Sequence, residues 1–157
     1  MSAERWLLKA EAWAQSEQGA QLRLLERLQA HERALATGDA DEIVGTLEAV
    51  EAELRTESSR ARERRAWIES LARCWAVEPR TLTLRSIVER AGASGERLGR
   101  LRVELDRQAR EVAAAGRRIA MIARTQRSLL GELLSTLTGA DPESPDHASG
   151  TLVDARG

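Results

Sequence analysis

The sequence is poor in the residues that build a thick globular core or a disulfide-stabilised fold. Its 157 residues include no Phe or Tyr, four Trp, three Pro and one Cys. A single cysteine, Cys74, excludes an internal disulfide and favours a reducing compartment. The chain has few aromatic side chains, and 31% of its residues are charged. This composition is typical of long helices or coiled coils. No strand pattern is present.

The sequence also lacks the signals of membranes and nucleic acids. No run of about 20 apolar residues is present, so we expect no membrane insertion. The first residues, MSAERWLLKAEAWAQ, carry charges where a signal peptide needs an apolar run. The formal net charge is −1 and the basic residues are interspersed with acidic ones, so we expect no nucleic-acid binding. These features predict a cytoplasmic protein.

Side chains for catalysis or metal binding are scarce. His31 and His147 are the only histidines, and neither follows a Glu at the spacing of a di-iron bundle site, so we expect no metal. We interpret His31 as a partly buried, hydrogen-bonded residue and Cys74 as a structural thiol beside Trp75. No Gly-rich phosphate loop is present. The sequence therefore predicts neither an enzyme nor a bound cofactor.

Helical periodicity predicts two long helices in the first half of the chain. The first covers residues 3–36 and ends at Gly38, and Asp39 and Glu42 then form a capping box that begins the second. The second helix covers residues 39–76 and has a 4-3 seam that requires a partner helix. Its predicted seam positions are Ile43, Leu47, Val50, Leu54, Glu57, Ala61, Arg64, Ile68, Leu71 and Trp75.

A third long helix follows a break at Pro79 and a short helix over residues 84–90, which Thr83 caps. Its predicted seam consists of Leu98, Leu101, Leu105, Gln108, Val112, Ala115, Ile119, Ile122, Gln126, Leu129 and Leu133. The predicted fold class is all-α, an elongated antiparallel bundle of three long helices with a short connecting helix and a disordered C-terminal tail. We expect a helical domain at 1–139 and a flexible polar tail at 140–157, where prolines and acids accumulate.

The end of the third helix is unusually apolar. The segment RTQRSLLGELLSTLTG, residues 124–139, contains five leucines in nine positions. Seven apolar residues cover an arc of roughly 140°, which is wider than a coiled-coil seam; they are Ile119, Ile122, Leu129, Leu130, Leu133, Leu134 and Leu137. Leu130, Leu134 and Leu137 form an extra row. Either helix 1, a second copy of the chain or another protein is expected to cover that row.

Two groups of basic residues have a simpler interpretation. The run SSRARERRAW at residues 58–67 is locally basic, and Arg110, Arg117 and Arg124 repeat every seven residues on the third helix. Acidic residues surround the run, and a seven-residue repeat opposite the seam is typical of an exposed stripe. We interpret both groups as solvated helix faces.

Three segments carry a resemblance to a known family. They are ATGDADEIVGTLEAVEAELRTESSRARERRAWIESL, TLTLRSIVERAG after the Pro-containing break, and RSLLGELLSTLTG before a polar tail. Together they resemble the FlgN family of flagellar type III export chaperones, over residues from about 22 to 139. Gly38-Asp39 and Thr83-Leu84-Arg85 are the most specific matches.

The resemblance implies a function and a site. It implies a cytoplasmic, all-helical chaperone that holds flagellar hook-associated proteins before secretion, prevents their premature assembly and escorts them to the export gate. The client offers its C-terminal amphipathic helix, and the last long helix of the chaperone receives it. The seven residues on the wide apolar arc, Ile119 to Leu137, are then the client contacts. The alternative is a structural or scaffolding coiled coil that self-associates through the same face.

Overall fold

The computed structural model describes residues 3–138, with side chains from 5 to 137, and within them it contains helices and short connections but no strand. Its α-helices are α1, Ala3–Thr37; α2, Ala40–Trp75; α3, Leu84–Ala91; and α4, Glu96–Thr138. Short 3-10 turns at Pro79–Thr81 and Gly92–Gly95 lie on either side of α3. The predicted all-α fold, with three long helices and a short connecting helix, is confirmed. The predicted tail, 140–157, lies outside the described residues.

Packing divides the chain into two units, residues 1–119 and residues 120–157. The first unit contains α1, α2, α3 and the beginning of α4, together with the hydrophobic core. The described part of the second unit is the remainder of α4. The predicted boundary at residue 139 stays a prediction, because it lies beyond the described residues.

A tight turn joins α1 to α2, as the sequence predicts. Gly38 has φ of +77°, a left-handed conformation that glycine adopts without steric cost. Asp39 is the N-cap of α2, and its Oδ1 accepts a hydrogen bond from the Glu42 amide at 3.1 Å. The Glu42 carboxylate accepts from the Thr37 hydroxyl at 3.3 Å. Glu42 therefore bonds across the turn to the end of α1.

Contacts at both ends of the hairpin fix the direction of the helices. Trp6 meets Trp75 near one end, and His31 meets Thr46 near the turn, so α2 is antiparallel to α1. Arg97 and Arg118 of α4 pair with Glu11 and Glu32 of α1, respectively. From the first pair to the second, the residue numbers increase in both helices. Within the first unit, α4 therefore runs parallel to α1.

The hydrophobic core of the first unit lies where the beginning of α1, the end of α2, α3 and the beginning of α4 meet. Leu71, Ile87 and Leu98 are almost fully buried there. The tryptophans supply the aromatic volume in two pairs. Trp6 packs edge-to-face on Trp75 at 4.9 Å, and Trp13 stacks on Trp67 at 6.1 Å. Such pairs contribute about 0.5–1.5 kcal/mol each beyond simple area burial.

The connection between α2 and α4 is closely fitted. Thr83 caps α3 in a complete capping box with Ser86, as its position before the short helix predicts. Gly95 is buried between α3 and α4, and a Cβ there would stand 2.7 Å from the Ala91 Cβ and 3.1 Å from the Val88 carbonyl oxygen. Only glycine allows this close approach of backbones.

The predicted seam of α2 is confirmed at Val50, which is buried, but is wrong at Leu47 and Leu54. Leu47 and Leu54 are 44% and 48% exposed, whereas Glu53 and Arg60 take the more buried positions. The reason is electrostatic, because these charged side chains meet oppositely charged groups of α1 in the hairpin interface. A 4-3 pattern of apolar residues does not reveal a helix face whose inward side chains form ion pairs.

The structure confirms the prediction for His31 and contradicts the prediction for Cys74. His31 is buried and its Nδ1 lies 2.9 Å from the Thr46 hydroxyl, which confirms a hydrogen-bonded structural histidine. Cys74 is exposed on α2, so its interpretation as a structural thiol packed beside Trp75 is wrong. It lies on the side of α2 that faces away from the core.

Candidate partner-binding face

The candidate site is the part of α4 that belongs to the second unit, residues 120–138. The sequence favours helix here, because it contains no proline and is rich in Ala, Leu and Arg. Thr125 and Thr136 are compatible with the helix since their hydroxyls donate to the carbonyl oxygens of Met121 and Glu132, at 3.1 and 2.8 Å. The helix therefore presents its apolar side chains at regular spacing.

One arc of this helix carries most of its apolar side chains, and we call it the leucine face. Its leucines are exposed in the structure, from 53% for Leu129 to 82% for Leu137. Ile122 is partly buried. The members of the leucine face are Ile122, Leu129, Leu130, Leu133, Leu134 and Leu137. Exposed apolar residues concentrated on one helix face are typical of an interaction surface.

The predicted seam of α4 ends earlier than the sequence suggests. Leu98, Leu105, Gln108 and Ala115 are buried as predicted. Leu129 and Leu133 were expected in the same seam, but they are 53% and 58% exposed, like the extra row. That part of the prediction is wrong, and all five leucines of the apolar arc are exposed.

The physical reason is that the described part of the second unit is a single helix, residues 120–138, which includes no second helix against which a seam could pack. Ile119, a further predicted client contact, is the last residue of the first unit and is partly buried. The remaining six predicted contacts lie together on the helix of the second unit.

Charge around the leucine face is one-sided. Between Glu111 and Glu132 the sequence contains no acidic residue but four arginines. One of these, Arg118, pairs with Glu32. Arg124 and Arg127 are exposed, and neither has a carboxylate within ion-pair distance among residues 3–138. Arg110, Arg117 and Arg124 are all exposed, which confirms the solvated stripe that the seven-residue repeat predicts.

A second polar cluster lies inside the first unit, between α1 and α2. Glu17 is buried, its Oε1 lies 3.7 Å from Arg64 Nη1 and its Oε2 lies 3.9 Å from Arg60 Nε. Both distances exceed a hydrogen bond, and Oε2 has no protein donor. Burial raises the pKa of Glu17, and Glu57 adds to the rise, while Arg64 and Arg60 oppose it. The cluster holds no nucleophile, so we interpret it as structural.

No helix within residues 3–138 is both long and apolar enough to cross a membrane. In the same part of the chain, no three His, Cys, Asp or Glu side chains come together as a metal site.

Comparisons of the chain with protein-family models, with curated proteins and with solved structures found no match, so the physical properties of the leucine face are the basis for any assignment of function.

Proposed function

We propose that the protein is a cytoplasmic export chaperone that binds the C-terminal amphipathic helix of secreted flagellar hook-associated proteins. In this proposal the bound chaperone prevents premature assembly of its client and assists delivery to the type III export gate. The observation that carries it is the exposed leucine face on residues 120–138. The resemblance of the sequence to FlgN-type chaperones supplies the identity of the client.

The chemistry of the face suits a helical client. Its members follow helical spacing on one arc, which an amphipathic helix matches by laying its own apolar stripe alongside. Each half-exposed leucine contributes about 1 kcal/mol on full burial, and the client's apolar residues add a similar amount. The gross gain is then roughly 10 kcal/mol before the cost of ordering both partners.

The alternative function is a scaffold that self-associates through the same face. The exposed leucines favour it equally, because a second copy would bury the same apolar area. The two functions differ in what covers the face. A chaperone remains monomeric until a client helix binds, whereas a scaffold dimerises alone.

Co-purification tests the proposal. The full chain is expected to retain hook-associated proteins encoded in the same genome and to lose them when their C-terminal helix is deleted. Light scattering of the isolated chain measures self-association in parallel. Retention of none of these clients, or a stable dimer that client helices do not dissociate, contradicts the chaperone function.

A further inference from the structure

We infer that the leucine face takes an amphipathic helix of another protein that carries carboxylates along the edge facing Arg127, with Arg124 adding to the positive charge on that side. This refines the proposed function, since it specifies the chemistry of the helix that the face accepts. The inference rests on the positions of Arg124 and Arg127 and on their lack of acidic neighbours. It also rests on the charge of two other candidates for the face, a second copy of the chain and residues 140–157.

Arg127 borders the leucine face directly. At about 100° per residue it lies roughly 20° beyond Leu134 on the helix surface, and it is three residues before Leu130. Arg124 lies one turn earlier and about 60° further from the leucine face, close to the stripe that contains Arg110 and Arg117. The opposite edge carries the hydroxyls of Thr125 and Thr136 and the carboxylate of Glu132. One edge of the leucine face is therefore distinctly positive.

Four other arginines of α4 are paired, whereas Arg102, Arg110 and Arg117 have no ion pair in the described part of the chain. Arg100 donates to Glu96 one turn before it, and Arg107 lies between Glu104 and Glu111. Arg124 and Arg127 have Ala, Met, Ser, Leu or Gly three and four residues away, and otherwise each other. Two like charges spaced by three residues repel weakly on a helix surface. A carboxylate on a bound partner would relieve that repulsion and, at the rim of an apolar contact, select the partner.

A second copy of the chain is a poor match for this edge. The helix over residues 120–138 carries two arginines and one acid, so two copies bring together surfaces of the same sign. In an antiparallel pair related by a two-fold axis, the arginine edge meets itself. The chain's own residues 140–157 are acidic, but they contain only Leu152 and Val153 as large aliphatic side chains. A separate acidic amphipathic helix satisfies both the apolar and the charge requirement.

Two designed peptides of about 20 residues, long enough to cover the face from Ile122 to Leu137, test the inference. Both have the same leucine stripe, and the edges of the stripe carry Glu in one peptide and Lys in the other. Calorimetric titration of the full chain is expected to give at least about tenfold tighter binding of the Glu peptide at about 0.05 M salt. The preference is expected to shrink at about 0.5 M salt, where charges are screened. Equal affinities overturn the inference.

Variants of the full chain assign the effect to the two arginines. Arg124→Glu with Arg127→Glu is expected to reverse the preference, and Arg124→Gln with Arg127→Gln to abolish it while adding no new charge. Arg110→Glu, an exposed arginine of the first unit, is the matched control and is expected to leave the preference unchanged. A preference that survives the glutamine variant, or that also falls in the control, contradicts the assignment. Truncation after Gly139 shows whether the acidic tail competes with the peptides for the leucine face. If the preference for the Glu peptide is absent from the truncated chain, the tail alone creates it and the inference fails.

The two proposals fail separately. If the peptides are discriminated but no hook-associated C-terminal helix binds, the flagellar function is wrong and the acidic-helix specificity stands. If hook-associated helices bind through the leucines and the peptides bind equally, the function stands and the acidic specificity is wrong.

Discussion

Arg118 donates from Nε and Nη2 to the two carboxylate oxygens of Glu32, over 2.6 and 2.9 Å, and so joins α4 to α1. A bidentate guanidinium–carboxylate pair fixes orientation as well as distance. The hydrogen bond from Arg118 lowers the pKa of Glu32 below its ordinary value of 4.5. This pair is the last interhelical ion pair of α4 in the described part of the chain, and it lies within the first unit.

Replacement of Glu32 by Gln is expected to lower the melting temperature at neutral pH and to matter less in acid. Because the pKa of Glu32 is lower in the folded chain than the ordinary 4.5, its stabilising contribution is fully present above that value and is lost as the pH falls through the folded pKa. Melting curves of wild type and Glu32→Gln from neutral to acid pH measure the difference. A gap that widens on acidification contradicts the pairing.

Leu130→Asp is expected to weaken client binding by at least about 2 kcal/mol while leaving helix content nearly unchanged, because burying an unpaired carboxylate in the contact is costly. Val103→Asp is the matched control, since Val103 is also 60% exposed on α4 but lies in the first unit. Calorimetry and circular dichroism measure the two effects. Melting of the free chain by Leu130→Asp would place Leu130 in a core and remove it from the binding face.

Two leucines of α2 are expected to differ sharply in their effect on stability. Leu71 has no exposed surface and Leu47 is 44% exposed, although the sequence places both in one seam. Leu71→Ala is expected to cost about 2–5 kcal/mol of unfolding free energy, through lost burial and the cavity that remains. Leu47→Ala is expected to cost less than about 1 kcal/mol. Urea denaturation measures both, and equal losses would restore the original seam.

Glu17→Gln is expected to raise the melting temperature at neutral pH. The pKa of Glu17 is raised above its ordinary 4.5, first by burial and then by Glu57, so its ionised form destabilises the fold and stability falls as the pH rises through the folded pKa. The advantage of the variant should vanish in acid, where Glu17 is neutral. Calorimetric melting across that range measures it. A lower melting temperature at neutral pH would show that pairing with Arg60 and Arg64 outweighs burial.

Gly95→Ala and Gly45→Ala are expected to change stability in opposite directions. A Cβ at Gly95 meets Ala91 and the Val88 backbone, so we expect a loss of about 1–3 kcal/mol. Gly45 lies within α2 with open space around it, and Ala there is expected to gain about 0.5–1 kcal/mol. Denaturation midpoints of the two variants test the predicted fit of the α3–α4 connection. A neutral Gly95→Ala would show that α3 shifts freely.

The sequence predicted the elements of the fold because their signals are local. Gly38 and Asp39 mark the turn between α1 and α2, and Thr83 marks the beginning of α3, and each acts through its own backbone or side chain. The apolar arc at the end of α4 was equally visible, since it depends only on helical spacing.

Which faces are covered could not be predicted in the same way. Burial of Glu53 and Arg60 in place of Leu54 depends on Glu17 and Arg23, which lie on another helix. Leu129 and Leu133 are exposed because the described part of the second unit contains no second helix to cover them, which the periodicity of one helix does not record. Cys74 faces away from the core for a similar reason, because the core side of α2 is decided by its partners.

All four tryptophans lie in α1 and α2 within the first unit, at Trp6, Trp13, Trp67 and Trp75, and residues 120–138 contain no tyrosine, phenylalanine or tryptophan. Intrinsic fluorescence therefore reports the folding of the first unit and carries no signal from the helix that follows it. Tryptophan fluorescence therefore distinguishes the first unit, which contains the hydrophobic core, from the helix that we expect to bind a partner.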